Sequence, residues 1–388
     1  MFSLAQNYFN RGFWGDEAWT SLISQLPYPQ MLKTTAADFH PPGYYTVIEI
    51  LYAFFPPTEM ITRSVSVIFY LLTLFMVYKL ASYVKGHTFG LLSALVVALN
   101  PIFFTYAFEA RNYTMFAFAA TGSIFFLIEL SKKFTKTRAL AFVLFTLLGI
   151  YTHYYMFFIL GAQGLYLLLV DRKILIRTML LYFVCAVFFL PWIPFLIGQL
   201  TSVKESYWIS PIVFWNPLKS LAPYGTYFDA LIRILGGEES SIYRDILFPI
   251  SMLLLFAGVI GHVIHRKFEK EYVLIWLWVV IPFILATLPG LKVGGFQFPF
   301  RSIFFWRYLI GASIPLSMVM VHSAMKLPKN VTYLSLGIVI SLSCIINFFT
   351  FTKPTYTFRE AYRENVVSDI TNKDRIVTVL PSFAEVLY

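Results

Sequence analysis

Residues 91–130, LLSALVVALNPIFFTYAFEARNYTMFAFAATGSIFFLIEL, hold two long apolar runs separated by one polar interruption, Glu109-Ala110-Arg111-Asn112. Runs of about twenty apolar residues are long enough to cross a bilayer. An ionisable pair placed where such a chain turns back is expensive and marks a functional position. Asn100-Pro101 breaks the first run before the turn. The turn is therefore read as lying near or below the membrane surface, where it can line a cavity. Residues 138–170 repeat the device, with Thr152-His153-Tyr154-Tyr155 as the interruption.

The rest of the chain agrees with a membrane setting. Of 388 residues, 58% are hydrophobic and 13% charged, against about 25% charged in a soluble domain, and the mean hydropathy is +0.69. Phe (41) and Tyr (25) are abundant, as expected for helix contacts and headgroup-level rings. Hydrophobic runs predict about ten spans, at 64–83, 88–107, 112–130, 138–152, 154–170, 179–199, 246–264, 272–289, 307–325 and 331–350. The expected class is an all-α polytopic membrane protein.

Charge orients it. Lys79, Lys85, Lys132, Lys133, Lys136, Arg138, Arg172, Lys173, Arg177, Arg266, Lys267, Lys270, Lys326 and Lys329 fall in alternate short loops, which the positive-inside rule assigns to the cytoplasm. Only Glu129, Asp171, Glu269 and Glu271 accompany them. The other face holds equal numbers of basic and acidic residues, so the whole net charge of +10 lies on the cytoplasmic side. The positive balance thus reports topology and implies no nucleic-acid partner. Cys185 and Cys344 fall mid-span and read as packing residues. The chain contains no P-loop, GxGxxG or CxxC pattern.

Three regions are expected. Residues 1–60 form an outer loop with candidate catalytic carboxylates and amphipathic interfacial helices. One such stretch follows Asp16, with Trp19, Leu22, Ile23 and Leu26 at helical spacing. The other, 43–55, is too short to span and is bounded by proline pairs. Residues 61–350 form the transmembrane domain. Residues 351–388 read as the start of a soluble outer domain, and the chain as a whole as a fragment lacking one upstream helix.

On this topology the ionisable clusters share the outer face. Asp16 and Glu17 have a structural reading as the acidic first turn of a helix. Their functional reading is Asp16 as a general base toward an acceptor hydroxyl, with Glu17 orienting it or binding a cation. Arg111 either snorkels and pairs with Glu109 or binds a phosphate. Arg307 and Tyr308 invite the same two readings. His40, beside Pro41-Pro42, is either a loop residue or a cation or acceptor contact, and Glu109 is a further candidate for such contact. His153, at a hairpin tip, is either structural or part of the site. No zinc-type spacing occurs.

Taken in order, Asp16-Glu17, His40-Pro41-Pro42-Gly43-Tyr44-Tyr45, Arg63 opening a span, Asn100-Pro101-Ile102-Phe103, Glu109-Ala110-Arg111-Asn112-Tyr113 and Tyr151-Thr152-His153-Tyr154-Tyr155 resemble the membrane glycosyltransferases of the GT-C fold. The similarity is to bacterial and archaeal relatives of protein mannosyltransferases and of the aminoarabinose transferase that modifies lipid A. It implies a sugar donor carried on a polyprenyl phosphate, a lipid, glycan or protein acceptor, inversion at the anomeric carbon, and a prokaryotic plasma membrane. It also implies Asp16 as the catalytic carboxylate and Arg111 on the donor phosphate, with His153 and Arg307 nearby. A divalent cation is left open, and no other cofactor is implied. The rival readings are a transporter or flippase of lipid-linked substrates, a lipid-linked oligosaccharide ligase or polymerase, and an inactive scaffold. A transporter would place polar groups near the bilayer midplane and often shows internal repeats.

Overall fold

The computed structural model describes residues 9–206, 212–213, 227–237, 241–265, 270–293, 296–297 and 302–352. Among the described residues the fold is a helical bundle with three short strands. After a helical turn at Phe9-Asn10 come three short helices, α1 (Gly15–Ser24), α2 (Tyr28–Ala37) and α3 (Gly43–Tyr52). The amphipathic stretch after Asp16 and the short apolar run from Gly43 are therefore both helical. Beyond the Pro56-Pro57 pair, Thr58 caps α4 (Glu59–Lys85), its hydroxyl accepting from the Ile61 amide at 3.4 Å. Gly86, at φ +90°, makes the reversal into α5 (His87–Leu99).

Among the described residues, six helical stretches are long and apolar enough to cross a membrane: α4, α7 (Tyr113–Lys132), the run Arg172–Thr201, residues Ile242–Ile260 of α13 (Ile242–His265), α14 (Lys270–Thr287) and α16 (Lys329–Thr352). The count becomes seven if α5 and α6 (Pro101–Ala107) form one broken span. The ten expected spans are thus not matched one for one, and local backbone chemistry explains the shortfall. Asn100-Pro101 bends the second apolar run by 68°, and the Asn100 side chain caps α6 by accepting from the Phe103 amide. The runs at 138–152 and 154–170 become α8 (Lys136–Thr152) and α9 (Met156–Leu169), both short. The run at 307–325 opens as a 3-10 helix, Trp306–Ala312, leaving only α15 (Ser313–Ala324) in α conformation.

Helix α7 is the axis of the bundle. In its apolar window 78% is buried, against 17% for Arg172–Thr201, so α7 is surrounded by protein while that run faces outward. It packs on α4 and α8, and α9 packs on α14. α15 lies between α5 and α13, and α16 covers α13, α5 and α6. The shared core includes Met76, Phe89, Phe103, Phe116, Ile128, Trp278 and Met318. Polar groups cross-link four of the helices within it. Ser123 on α7 meets Thr146 on α8 at 3.0 Å, and Gln163 on α9 donates to Ser123 at 2.9 Å. Tyr182, on α10 (Leu175–Phe189), donates to Gln163 at 2.9 Å. The mid-span regions are therefore less uniformly apolar than the sequence implies, but these groups satisfy one another and act as interhelical glue.

α11 (Ile193–Ser206) and α12 (Tyr227–Gly236) lie on either side of the first strand in the chain. In that region β1 (Ile212–Val213) pairs in parallel with β2 (Leu291–Val293), matching Ile212 with Leu291. β2 then pairs antiparallel with β3 (Phe296–Gln297), matching Val293 with Phe296. The outer domain expected from residue 351 lies outside the described residues beyond Thr352, which ends α16.

One close approach fixes the first segment on the bundle. A Cβ on Gly43 would stand 2.5 Å from the Tyr151 carbonyl oxygen, so α3 lies on α8 with no room for a side chain at that point. Gly43→Val is expected to destabilise the protein by about 1–3 kcal/mol through overpacking. It should also displace His40, three residues upstream. Thermal unfolding in detergent measures the first effect; an unchanged midpoint would show that the helix pair yields freely.

Candidate active site

The polar turns gather at one end of α7. Lys132, at its other end, is about 30 Å away for a helix of this length. Side-chain–backbone bonds fasten the turns to each other. Asn112 donates to the Thr152 carbonyl at 2.9 Å, joining the two hairpin tips. Ser66 on α4 donates to the Arg111 carbonyl at 3.2 Å and meets the Tyr44 hydroxyl of α3 at 2.8 Å. Tyr155 donates to the Ile303 carbonyl at 2.6 Å, bringing the segment that carries Arg307 against the second tip.

Glu17 and Asp16, adjacent in sequence, have different surroundings. Glu17 is fully buried and forms a two-pronged ion pair with the equally buried Arg63. Arg63 Nε lies 2.9 Å from one carboxylate oxygen and Nη2 lies 2.6 Å from the other. Arg63 also donates to the carbonyls of Phe9, Arg11 and Gly12 at 2.6, 2.7 and 3.1 Å. Glu17 accepts from the Ala110 amide at 2.7 Å and, more loosely, from its own helix cap at Trp14, at 3.4 Å. The pair therefore joins the start of α1, the entry of α4 and the turn that carries Arg111. In this arrangement Glu17 is saturated by Arg63 and backbone amides and does not orient Asp16 directly.

Asp16 points the other way. Its side chain is 44% exposed, and one carboxylate oxygen lies 3.6 Å from Arg111 Nη2 and 3.9 Å from Arg307 Nη1. The Arg111 side chain beneath it is only 7% exposed. Arg111 Nη1 donates to the Asp16 carbonyl at 3.3 Å and the Thr20 hydroxyl at 3.5 Å, and Nη2 contacts His40 Nε2 at 3.2 Å. The Arg111 Nε is buried without a hydrogen-bond partner. Arg307 lies over the rings of Trp14 and Trp306, each 5.2 Å from the guanidinium carbon, a contact that holds a guanidinium without removing its charge. Arg233 on α12 also lies 5.2 Å from the Trp306 ring.

Because a guanidinium only donates, His40 Nε2 is the acceptor in its contact with Arg111, and a neutral His40 carries its proton on Nδ1. That atom faces Asp38 at 3.9 Å. Burial pushes His40 below its ordinary pKa; Asp38 opposes this and Arg111 adds to it. Burial, followed by His40 and Arg111, holds His153 well below its ordinary value. His153 Nδ1 accepts from the Tyr155 amide at 3.1 Å, leaving the proton of the neutral ring on Nε2. Both rings are neutral near pH 7 and add no charge to the arginine pair.

Beside the arginines opens a cavity of about 260 Å³, lined by His40, His153, Tyr308 and an apolar wall that includes Phe157, Phe158, Leu196 and Leu200. Gln199 ties its wall together, donating to the Thr35 carbonyl at 3.1 Å and the His40 carbonyl at 3.3 Å. Tyr154 donates to Gln199 and accepts from Trp192. The tertiary structure thus brings Asp16, Arg111, Arg307, His40, His153 and Tyr308 together. Glu17 is taken by Arg63. Glu109 faces Arg11 at 4.0 Å and does not pair with Arg111. Arg63, which the sequence shows only as a charge at the mouth of an apolar run, proves to anchor the site. Its signal was that burial of a charge at a span entry requires a partner. Arg233, Gln199 and the two tryptophans carried no signal of their own.

A bound metal does not suit these groups. Among the described residues no set of three or more His, Cys, Asp or Glu could hold a metal ion. The exposed carboxylate, Asp16, faces two guanidiniums, which would repel a cation.

Residues 39–197 match the family of dolichyl-phosphate-mannose-protein mannosyltransferases. The fold is similar to that of ArnT from Cupriavidus metallidurans in the apo state, with a TM-score of 0.57 at 15% identity, covering 83% of this chain and 58% of that one. It is also similar to an Archaeoglobus fulgidus oligosaccharyltransferase solved with Zn and sulfate, with a TM-score of 0.54 at 16% identity, covering 85% and 47%. A third similar structure is the oligosaccharyltransferase AglB of Archaeoglobus fulgidus with an inhibitory peptide and a dolichol-phosphate (TM-score 0.53, 14% identity, covering 85% and 50%). The chain spans about half the length of these solved proteins, and no curated protein matches it. At such identities the likeness establishes the fold. The chain is an integral membrane protein with a GT-C-like fold, and its residues 39–197 match the dolichyl-phosphate-mannose-protein mannosyltransferase family.

Proposed function

We propose that this protein is an inverting glycosyltransferase that moves a sugar from a polyprenyl phosphate to an acceptor hydroxyl on the extracytoplasmic face of a prokaryotic plasma membrane. The observation that carries this reading is the juxtaposition of two arginines with an apolar cavity. Arg111 contacts His40, and His40 lines the cavity. A lipid phosphate needs both features, fixed positive charge for its head and an apolar wall for its first isoprene units. The dolichol-phosphate in the related AglB structure is a ligand of this chemistry.

In the reaction, the acceptor oxygen attacks the anomeric carbon and its proton passes to Asp16. The bond from that carbon to the phosphate oxygen breaks, and polyprenyl phosphate leaves. Negative charge grows on the departing phosphate, where preorganised cations lower the barrier most. Arg111 and Arg307 are suited to this, since guanidinium stays charged at any working pH and binds phosphate through two N–H groups at once. Neutral His40, His153 and Tyr308 shape the space between head and tail. No step requires a metal.

Release of polyprenyl phosphate in reconstituted membranes tests this, using a panel of polyprenyl-phosphate sugars and the full chain. Arg111→Ala is expected to lower the release rate by about 10²–10³-fold, the scale of losing one charge-stabilising donor. Wild-type rates in a folded Arg111→Ala variant would remove the proposed clamp. No release by wild type from any donor, with movement of the intact lipid across the bilayer instead, would favour the transporter reading.

A further inference from the structure

The position of Asp16 conflicts with the chemistry assigned to it. Inversion puts base and leaving group on opposite sides of the anomeric carbon. A base lies about 2.7 Å from the hydroxyl it deprotonates, and that oxygen starts about 3 Å from the carbon it attacks. Laid end to end with the bond of about 1.4 Å from that carbon to the leaving oxygen, these spans put the carboxylate roughly 7 Å from the leaving phosphate oxygen. In the structure it lies 3.6 and 3.9 Å from the two guanidiniums assigned to that phosphate. It also stands outward of Arg111, since Asp16 is 44% exposed and Arg111 7%, while Arg307 is 24% exposed.

We propose that the Asp16 carboxylate is the resting occupant of the Arg111–Arg307 anion site, and that the donor phosphate displaces it. This rests on the reading of those arginines as the phosphate clamp. Both groups are anions seeking the same N–H donors, and one pair of guanidiniums cannot hold both at full strength while a sugar stands between them. Displacement needs only side-chain rotation. The Asp16 backbone stays fixed, its carbonyl accepting from the Thr20 hydroxyl at 2.8 Å and from Arg111. The device orders the reaction. Without donor, the base is tied to two cations and cannot deprotonate an acceptor or a water molecule. With donor bound, the phosphate takes the arginines and the carboxylate turns toward the acceptor.

Binding, measured without turnover, tests this. The full chain in nanodiscs is titrated with farnesyl phosphate and separately with inorganic phosphate. Removing a competitor should strengthen binding, so Asp16→Asn is expected to bind farnesyl phosphate about five-fold tighter than wild type, the scale of a half-exposed ion pair. Asp16→Ala serves as the second variant and should bind at least as tightly. The same ratio is expected with inorganic phosphate, since the competition is for the phosphate group. In an Arg111→Ala background the gain should shrink, since only Arg307 is left for the carboxylate and the phosphate to compete for. Equal or weaker binding by both Asp16 variants, with Arg111→Ala and Arg307→Ala still weakening binding, would overturn the competition and leave the clamp standing. Tightening for farnesyl phosphate alone would overturn it too, by placing the effect on the lipid chain. Unchanged binding in both arginine variants would overturn the clamp and the competition together.

Discussion

Asp16→Asn is expected to lower sugar transfer by about 10²–10⁴-fold, the contribution of a positioned general base, while leaving the fold intact. The two halves of this expectation come from one observation. The Asp16 side chain is 44% exposed and touches the bundle through two ion pairs longer than 3.5 Å. Arg111 is buried, but it keeps its contacts with the Asp16 carbonyl, Thr20 and His40, and Asn still offers it an oxygen, so the loss is expected to stay at about 1 kcal/mol, small against the stability of the bundle. Asn keeps the shape and loses the basicity. A structural carboxylate would behave in the opposite way, with a lowered unfolding midpoint and activity lost only as far as the protein unfolds. Measuring release rate and midpoint on the same preparation separates the two. Combined with the binding expectation above, the variant should bind the phosphate better and turn over far less, an outcome that a general loss of structure cannot produce.

The second large effect lies one residue away. Glu17→Ala is expected to destabilise the protein by about 3–5 kcal/mol, because it leaves the fully buried Arg63 guanidinium without its counter-charge. It also removes the acceptor of the Ala110 amide, next to Arg111, so activity should fall with stability. Glu17→Gln should be milder, since its amide oxygen can still accept from Ala110 or from Arg63. Replacing Glu17 and Arg63 together by apolar residues should cost less than the Glu17→Ala change alone, as expected when the loss comes from an orphaned charge and not from the pair's net worth. Thermal unfolding of these variants in detergent decides the point. A Glu17→Ala protein of normal stability whose activity depended on an added divalent cation would restore Glu17 to the role of cation ligand.

These two neighbours show the limit of reading the chain by itself. Asp16-Glu17 looked like a single acidic unit, with one residue orienting the other. Successive residues on a helix point about 100° apart. At the start of α1 that rotation sends Glu17 into the protein, toward an arginine 46 residues away, and Asp16 out toward Arg111 and Arg307. Of the two readings of Arg111, pairing with Glu109 or binding a phosphate, the structure shows no Glu109 pair for the same reason. Arg111 is held by Asp16, Thr20 and His40, while Glu109 faces Arg11 from the first segment.

The sequence by itself determined the membrane class, the GT-C resemblance, the polar tips at Arg111 and His153, and the break at Asn100-Pro101. Each of these rests on local quantities: run length, the cost of charge at membrane depth, and the loss of an amide at proline. Only the tertiary structure decided which apolar runs became full-length helices, which carboxylate is buried against an arginine, and which groups met at one end of α7. Helix length depends on where the backbone finds its hydrogen bonds, and ion pairs form between residues brought together from dozens of positions apart. Neither is written in the spacing of neighbouring residues.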